Sequence, residues 1–281
     1  MNDLNLEPTL PGSSGWPAED RRFSAALARG LAVLRAFRPS DDGLGNAEIA
    51  ERTGLPRSTV SRLTFTLQSL GYLGQARRGD PYRPGPALLA LGNVAAASIR
   101  FVDLSAPLMR RLADETGTLA LLAVRDGTRM LLVRTWRPAG VSSLWLEVGH
   151  RLPINRSSSG HALLAGLTEA GLRAVVREAD GDRGLTPERA TEARREATGQ
   201  LVRDGFVVAD PADYFAPGIH AVAVPFRASE LGEPVTFGCG AAPRDLSVER
   251  LHAEVGPALR ETVRELERML GQPPVAAWHG P

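Results

Sequence analysis

The 281 residues are enough to bury two separate cores, and 43% hydrophobic with 23% charged residues excludes a disordered or fibrous chain. The net charge of +1 hides an uneven distribution: across residues 21–100 twelve Arg stand against Asp41, Asp42, Glu48, Glu51 and Asp80, a basic module suited to phosphate. The single Cys239 excludes an intramolecular disulfide and a Cys-clustered zinc site, and no apolar run approaches the roughly 20 residues that a bilayer span requires.

Residues 1–21, acidic and rich in Gly, Pro and Ser, read as a disordered tail. With Asp3, Glu7, Glu19 and Asp20 and no apolar core they do not read as a secretory signal, which predicts a cytoplasmic protein with no membrane partner. Ser24 is a plausible N-cap for a helix over 24–37, with Leu27, Leu31, Leu34 and Phe37 as its core face and Pro39 beyond its end. Residues 45–73 then hold two short helices. Ala47, Ile49 and Ala50 give the first an apolar face, Gly54 reverses the chain, and Pro56 suits the first position of the second. In that second helix Val60, Leu63 and Leu67 form the buried stripe. Ser58, Ser61, Arg62 and Phe65 are left facing out, with Arg57 at the helix start. Two helices around a Gly turn occur in many helical proteins, but here a strand, turn and strand follow, with Arg77 and Arg78 at the tip. This is a winged helix-turn-helix, whose second helix suits the major groove and whose wing suits the backbone.

Pro84-Gly85-Pro86 marks a boundary, and residues 87–95 read as a linker helix. Beyond it a helix over 104–116 carries Leu104, Leu108 and Leu112. Strands over 118–124 and 130–136 are joined by Asp126-Gly127, and a third strand is predicted over 142–148. Helices follow at 159–167, 172–178 and 187–204, the last solvent-facing. Strands are predicted at 206–210, 220–226 and 235–239, and a closing helix at 248–270. Antiparallel strands with helices between them make an α+β domain.

No Gly-x-Ser-x-Gly, His-Glu-x-x-His or Gly-rich phosphate loop is present, so no catalytic residue is assigned. Ser157-Ser158-Ser159-Gly160-His161 sets hydroxyls beside a His, as a nucleophile site would, yet the better reading is that the hydroxyls cap the helix that starts at that point and offer donors to an anion. His150, His161, His220, His252 and His279 have no paired spacing, so no metal and no cofactor is expected.

The run EIAERTGLPRSTVSRL, then LGYL and a hairpin, resembles the N-terminal domain of IclR-type bacterial transcriptional regulators. VGHRLPINRSSSGHALLAG and GIHAVAVPF resemble segments of that family's effector domain, in the family's order over roughly residues 24–271. The resemblance implies a mostly α winged helix-turn-helix domain at 22–84, a linker helix at 85–100, an α+β GAF/PAS-like effector domain at 101–271 and a tail at 272–281. It implies DNA contacts by Arg57, Ser58, Thr59, Ser61, Arg62, Arg77 and Arg78. It also implies an effector pocket formed by Leu144, Leu152, Ser158, Ser159, Asp210, Ala221, Cys239 and Ala241, for a small carboxylate or aromatic metabolite. Where the family's acid-binding pattern has Cys this chain has Ala221, and Cys239-Gly240-Ala241-Ala242-Pro243 replaces a Ser-x-Ser-Gly-Pro run. The polar grip on a small acid is thereby weakened, and Trp136 and Trp145, nearby in sequence, are read either as walls for a larger or more apolar ligand or simply as core. The expected partners are a palindromic operator in double-stranded DNA, the effector, and a second copy of the chain in a homodimer or homotetramer. The alternative is an oligomeric DNA-binding protein whose sensor domain no longer takes a ligand.

Overall fold

A computed structural model describes residues 20–139, 146–179 and 184–274, which fall into two compact units meeting in sequence at Ser98 and Ile99. The N-terminal unit begins with α1 (Ala25–Arg35), capped by Ser24, whose Oγ accepts from Leu27 N at 3.4 Å. α2 (Asn46–Thr53) ends at Gly54, whose φ of 67° lies in the left-handed region where glycine carries no Cβ penalty. Pro56 is the N-cap of α3 (Arg57–Ser69), one place earlier than expected. The unit's core is Val33, Ala36, Leu44, Ile49, Val60 and Leu73, with Leu63 and Leu67 packed against it. Arg52 closes its lower edge with 2.6 Å and 2.9 Å bonds to the Asp41 carboxylate and a 2.9 Å bond to Ala36 O. Burial raises the Asp41 pKa, but the hydrogen bonds from Arg52 and the Arg38 N–H outweigh it and hold the carboxyl below its usual range.

A two-stranded ribbon, β1 (Leu73–Gly74) with β2 (Arg83–Pro84), forms the wing's base, and Tyr82 bridges back to Leu44. α4 (Pro86–Ala97) follows with no buried residue; Leu89, Leu91 and Val94 are all more than half exposed. Its start is fixed tightly. Gly85 N donates to Tyr72 O at 2.8 Å, Ala87 N donates to Gly71 O at 3.2 Å, and a Cβ on Gly85 would lie 2.3 Å from Gly71 O.

The C-terminal unit is built on a five-stranded antiparallel sheet. Its strands are β3 (Leu119–Asp126), β4 (Arg129–Trp136), β5 (Arg151–Pro153), β6 (His220–Ala228) and β7 (Glu233–Ala241), in the order β5-β4-β3-β7-β6. Asp126-Gly127 makes the β3–β4 hairpin, with Gly127 at φ 63°. α5 (Arg100–Thr116) and α10 (Gly256–Met269) cover one face, reached through α9 (Val248–Arg250) and a π-helical turn, Leu251–Val255. Phe101, Phe226 and Phe237 meet there with centroids 5.2 to 6.4 Å apart. α6 (Ser158–Gly166) lies on the other face, backed by α8 (Pro187–Arg203) and flanked by α7 (Glu169–Glu178).

Several expectations are corrected. On α1, Leu27 and Leu31 are 63% and 50% exposed, whereas Gly30, Ala32 and Val33 are buried. Small residues let α1 approach α3, so bulk misjudged the inward face. On α2, Ala47 is exposed and Ile49 alone is fully buried. On α3 the inward position between Val60 and Leu67 is filled by fully buried Thr64, whose Oγ bonds Asn46 Oδ1 and Val60 O, each at 3.0 Å. α5 starts at Arg100 because Phe101 and Val102 already pack beneath the sheet. Of the strand predicted at 142–148, residues 142–145 lie outside the described residues and 146–148 are not extended into a strand. The chain meets Leu132 through His150 O and Gly149 N, turns at Gly149 (φ 93°), and pairs only from Arg151. The strand predicted at 206–210 is a single bridge, Val207 to Ala223. The Gln200 amide takes over both backbone groups of Val208, at 2.7 and 3.1 Å, and ends the ladder. α8 is not simply solvent-facing: Ala190, Ala193, Ala197 and Leu201 are buried along one side.

Candidate nucleic-acid interface and sensor site

The outward face of α3 carries Arg57, Ser58, Ser61 and Arg62, all exposed, with Thr59 half-buried beside them. Val60 and Thr64 fix the helix's rotation, and the Thr64–Asn46 bond pins it to α2. Arg77 and Arg78 stand exposed at the wing tip, whose turn is set by the Asp80 carboxylate accepting from Arg77 N at 2.9 Å and by Gly79 at φ 98°. Gln75 braces the wing, donating to Asp80 O at 2.5 Å and accepting from Gln68 of α3 at 3.3 Å. Between α3 and the wing lies a groove of about 720 Å³.

The unit's arginines divide by partner. Arg52 is ion-paired with Asp41 and Arg83 with Asp42, each at 2.6 Å. Arg57, Arg62, Arg77 and Arg78 make no ion pair among the described residues. Four guanidiniums held out from the helix and the wing provide the charge that a phosphate backbone neutralises and the donors that base edges accept.

The second predicted site gathers at the start of α6. Ser157 is the N-cap: its Oγ accepts from Gly160 N at 3.1 Å and donates to Pro153 O at 2.6 Å. Ser158 Oγ donates to Ala221 O at 2.7 Å and accepts from Ala209 N at 3.0 Å, linking helix, sheet and the loop before β6. The His161 ring bonds Asn155 O at 2.9 Å, so the Ser-His run is occupied with holding backbone. Leu152, Ser158 and Ser159 are buried, Ala221 is half-buried, and Asp210 is exposed, its carboxylate accepting from Ala212 N at 2.9 Å. Leu144 and Trp145 lie outside the described residues.

The sheet separates the remaining members of the predicted set. Cys239 and Ala241 belong to the core under α5 and α10, opposite the face that α6 covers, and so does Trp136. Burial pushes the Cys239 thiol up to about 12, partly offset by Thr118. Sequence reasoning missed Tyr214. This residue is buried on the loop before β6, where Arg156 holds the backbone by bonds to Asp213 O (3.0 Å) and Tyr214 O (3.1 Å). Burial raises the phenol's pKa, against an opposing pull from the N–H and hydroxyl of Ser158, which places the ring's polar end at the first turn of α6. Only the Tyr-Phe pair in a Pro/Gly-flanked loop hinted at an anchored segment. Among the described residues no three His, Cys, Asp or Glu group together as metal ligands, and no single helix is long and apolar enough to cross a membrane.

Residues 26–77 match the IclR helix-turn-helix domain, and residues 94–268 match the bacterial transcriptional regulator IclR C-terminal domain. The chain is 27% identical to the HTH-type transcriptional regulator TsaQ1/TsaQ2 of Comamonas testosteroni, over 86% of this chain and 87% of that protein. It is 31% identical to an IclR family transcriptional regulator of known structure from Brucella abortus, with a TM-score of 0.67 over 94% of this chain and 98% of that one. An IclR homolog from Microbacterium hydrocarbonoxydans, solved with 4-hydroxybenzoate, shares the fold at 23% identity and a TM-score of 0.62, covering 86% and 100%. A helix-turn-helix with four available arginines, followed by a five-stranded α+β unit, thus agrees with both domain matches along their length: the chain belongs to the IclR family of transcriptional regulators and binds DNA through its helix-turn-helix.

Proposed function

We propose that this regulator is a cytoplasmic homo-oligomer that binds a palindromic operator and changes its grip when a small carboxylate or aromatic metabolite enters the C-terminal unit. The observation that carries the DNA half is the set of unpaired arginines on α3 and the wing. Arg57, at the helix start, contacts phosphate; Arg62, a turn further on, reaches a base edge; Ser58, Thr59 and Ser61 fill the polar surface between them, and Arg77 and Arg78 hold the flanking backbone. Arg62→Ala then loses about 1–3 kcal/mol on the operator and relaxes sequence preference, while Arg57→Ala weakens specific and non-specific duplexes alike. Binding-site selection with both variants decides it. Leu27 and Leu31 of α1 and Leu89, Leu91 and Val94 of α4, apolar and exposed, support the homodimer. Ultracentrifugation showing monomers on a single half-site at full affinity would remove it.

The effector half rests on the first turn of α6, where Ser158, with buried Ser159 beside it, meets Ala221 and Ala209 next to Asp210 and faces Tyr214, with Leu152 buried on β5, and on the relative solved with 4-hydroxybenzoate. Cys239 and Ala241 stay out of this proposal because they face α5 and α10. A thermal-shift screen of organic acids and aromatics, with 4-hydroxybenzoate among them, tests it: a ligand at 100 times its dissociation constant stabilises by about 2.7 kcal/mol. One observation favours the second reading, a sensor unit that takes no ligand. Ser158 already satisfies Ala221 and Ala209 and faces the Tyr214 phenol, so the helix start has partners of its own. A flat screen with operator binding intact selects that reading.

A further inference from the structure

Phe65 is assigned nothing by the DNA contacts above, yet it shares their face. It follows Arg57, Ser61 and Arg62 by eight, four and three residues, which on a 3.6-residue period sets all four side chains on one side of α3. The ring is 69% exposed and takes no part in the cluster formed by Val60, Leu63 and Leu67. Single exposed aromatics are ordinary, so exposure alone decides nothing. Its surroundings do more. Phe65 lines the groove between α3 and the wing with Gln68, Gln75, Arg77 and Arg78, and although Pro81 and Tyr82 also line it the ring stays 69% exposed. The Gln68–Gln75 bond and the Asp80 turn hold the wing in place beside it.

We propose that Phe65 reads sequence by taking the C5-methyl group of an operator thymine against its ring. The inference rests on the docking of α3 in the major groove argued above. The occupant of this face is a polyanion by charge: Arg77 and Arg78 line the groove, Arg57 and Arg62 are exposed on the same side of α3, and the groove's acids are engaged, Glu48 accepting from Gly45 N at 2.8 Å and Asp80 from Arg77 N at 2.9 Å. On a duplex the apolar feature of the major groove is the thymine methyl. Arg62 and Phe65 are separated by about 4.5 Å along the helix axis, against about 3.4 Å per base pair, so the two side chains address neighbouring steps. The guanidinium then reads a hydrogen-bond pattern and the ring reads a methyl.

The test is uracil scanning. A duplex is selected from a random pool with the full-length protein and resynthesised with each thymine replaced in turn by uracil, which removes the methyl group alone. At one position per half-site the wild-type protein is expected to lose roughly fourfold in affinity, the worth of one buried methyl. Phe65→Ala, an exposed change that leaves the thermal transition in place, binds the thymine and uracil duplexes equally. Arg62→Ala keeps the methyl sensitivity, and Phe65→Leu keeps part of it. The proposal is overturned if no thymine is methyl-sensitive in the wild type, or if Phe65→Ala retains the sensitivity in full. Failure to enrich any duplex, with equal binding across the pool, overturns it together with the docking it rests on, and is recognised by that flat profile.

Discussion

The two faces of the five-stranded sheet are built on opposite terms. Under α5 and α10 the strands send in Val222, Val224, Phe226, Val235 and Phe237, which meet Phe101, Leu108, Leu112, Leu259 and Val263 in one volume-filling core. Under α6 the same strands offer Ala221, Ala223 and Gly238, and the helix answers with Ser158, Ala162, Ala165 and Gly166. Where α6 meets β6 and β7, the second face gives up apolar volume and gains proximity. Gly160 lies where a Cβ would be 2.0 Å from Ile154 O, and Gly166 packs on Pro225 and Pro234. Only at that range can a serine hydroxyl reach the sheet's backbone, as Ser158 reaches Ala221. Bulk holds the first face together, whereas where α6 meets β6 and β7 shape and hydrogen bonding take over, with Leu119, Leu121, Met130 and Leu132 supplying apolar bulk on that side only further across the sheet.

Substitutions that exchange one logic for the other separate them. The largest effect is expected for Phe237→Ala, which empties the fully buried centre of the aromatic trio and should cost about 3–5 kcal/mol in urea unfolding of the C-terminal unit. Gly160→Ala adds a single methyl against backbone that has no rotamer to yield, and about 3 kcal/mol is expected, near the top of the range for overpacking. Equal tolerance of Ala at Gly160 and at an exposed helix position would show that α6 is not held at contact distance. Ser158→Ala keeps the shape and removes the link, leaving Ala209 N–H and Ala221 C=O short of a partner, for about 1–2 kcal/mol. The smallest effect tests the first face for chemistry. A Cys239 thiol pushed up to about 12 is neutral at pH 8, so native protein should resist iodoacetamide and peroxide until it unfolds. The raised pKa also means that the native state keeps a proton which the unfolded chain releases above about pH 8.5. Stability therefore falls as pH rises from there toward 12, and Cys239→Ala should flatten part of that slope. The rest remains, because burial also raises the Tyr214 phenol.

Much of this was legible along the chain. Gly54 and Pro56 announced the turn between α2 and α3, Asp126-Gly127 the β3–β4 hairpin, and Ser157 the start of α6, because each acts through its own local backbone. What sequence did not reveal was decided by long-range partners. That Leu27 faces out while Gly30 faces in depends on how near α3 comes. That residues 206–210 make one bridge and no strand depends on an amide donated from α8. For the candidate sites, the outward face of α3 followed from periodicity alone. The sensor residues were carried over by resemblance one position at a time, and alternation along β7 set Cys239 and Ala241 on the far side of the sheet from Ser158. Tyr214 escaped because nothing in a loop's sequence says where its ring ends up.

The junction at Gly85 has a bearing on how motion could travel within the N-terminal unit. With Gly71 O at 2.3 Å from the place of a Cβ, and with Gly85 N and Ala87 N both bonded to the 71–72 backbone, the first turn of α4 is seated on the turn that leaves α3. A swing of α4 about this seat would bear directly on the C-terminal end of α3, which joins the two helices as the arms of one crank.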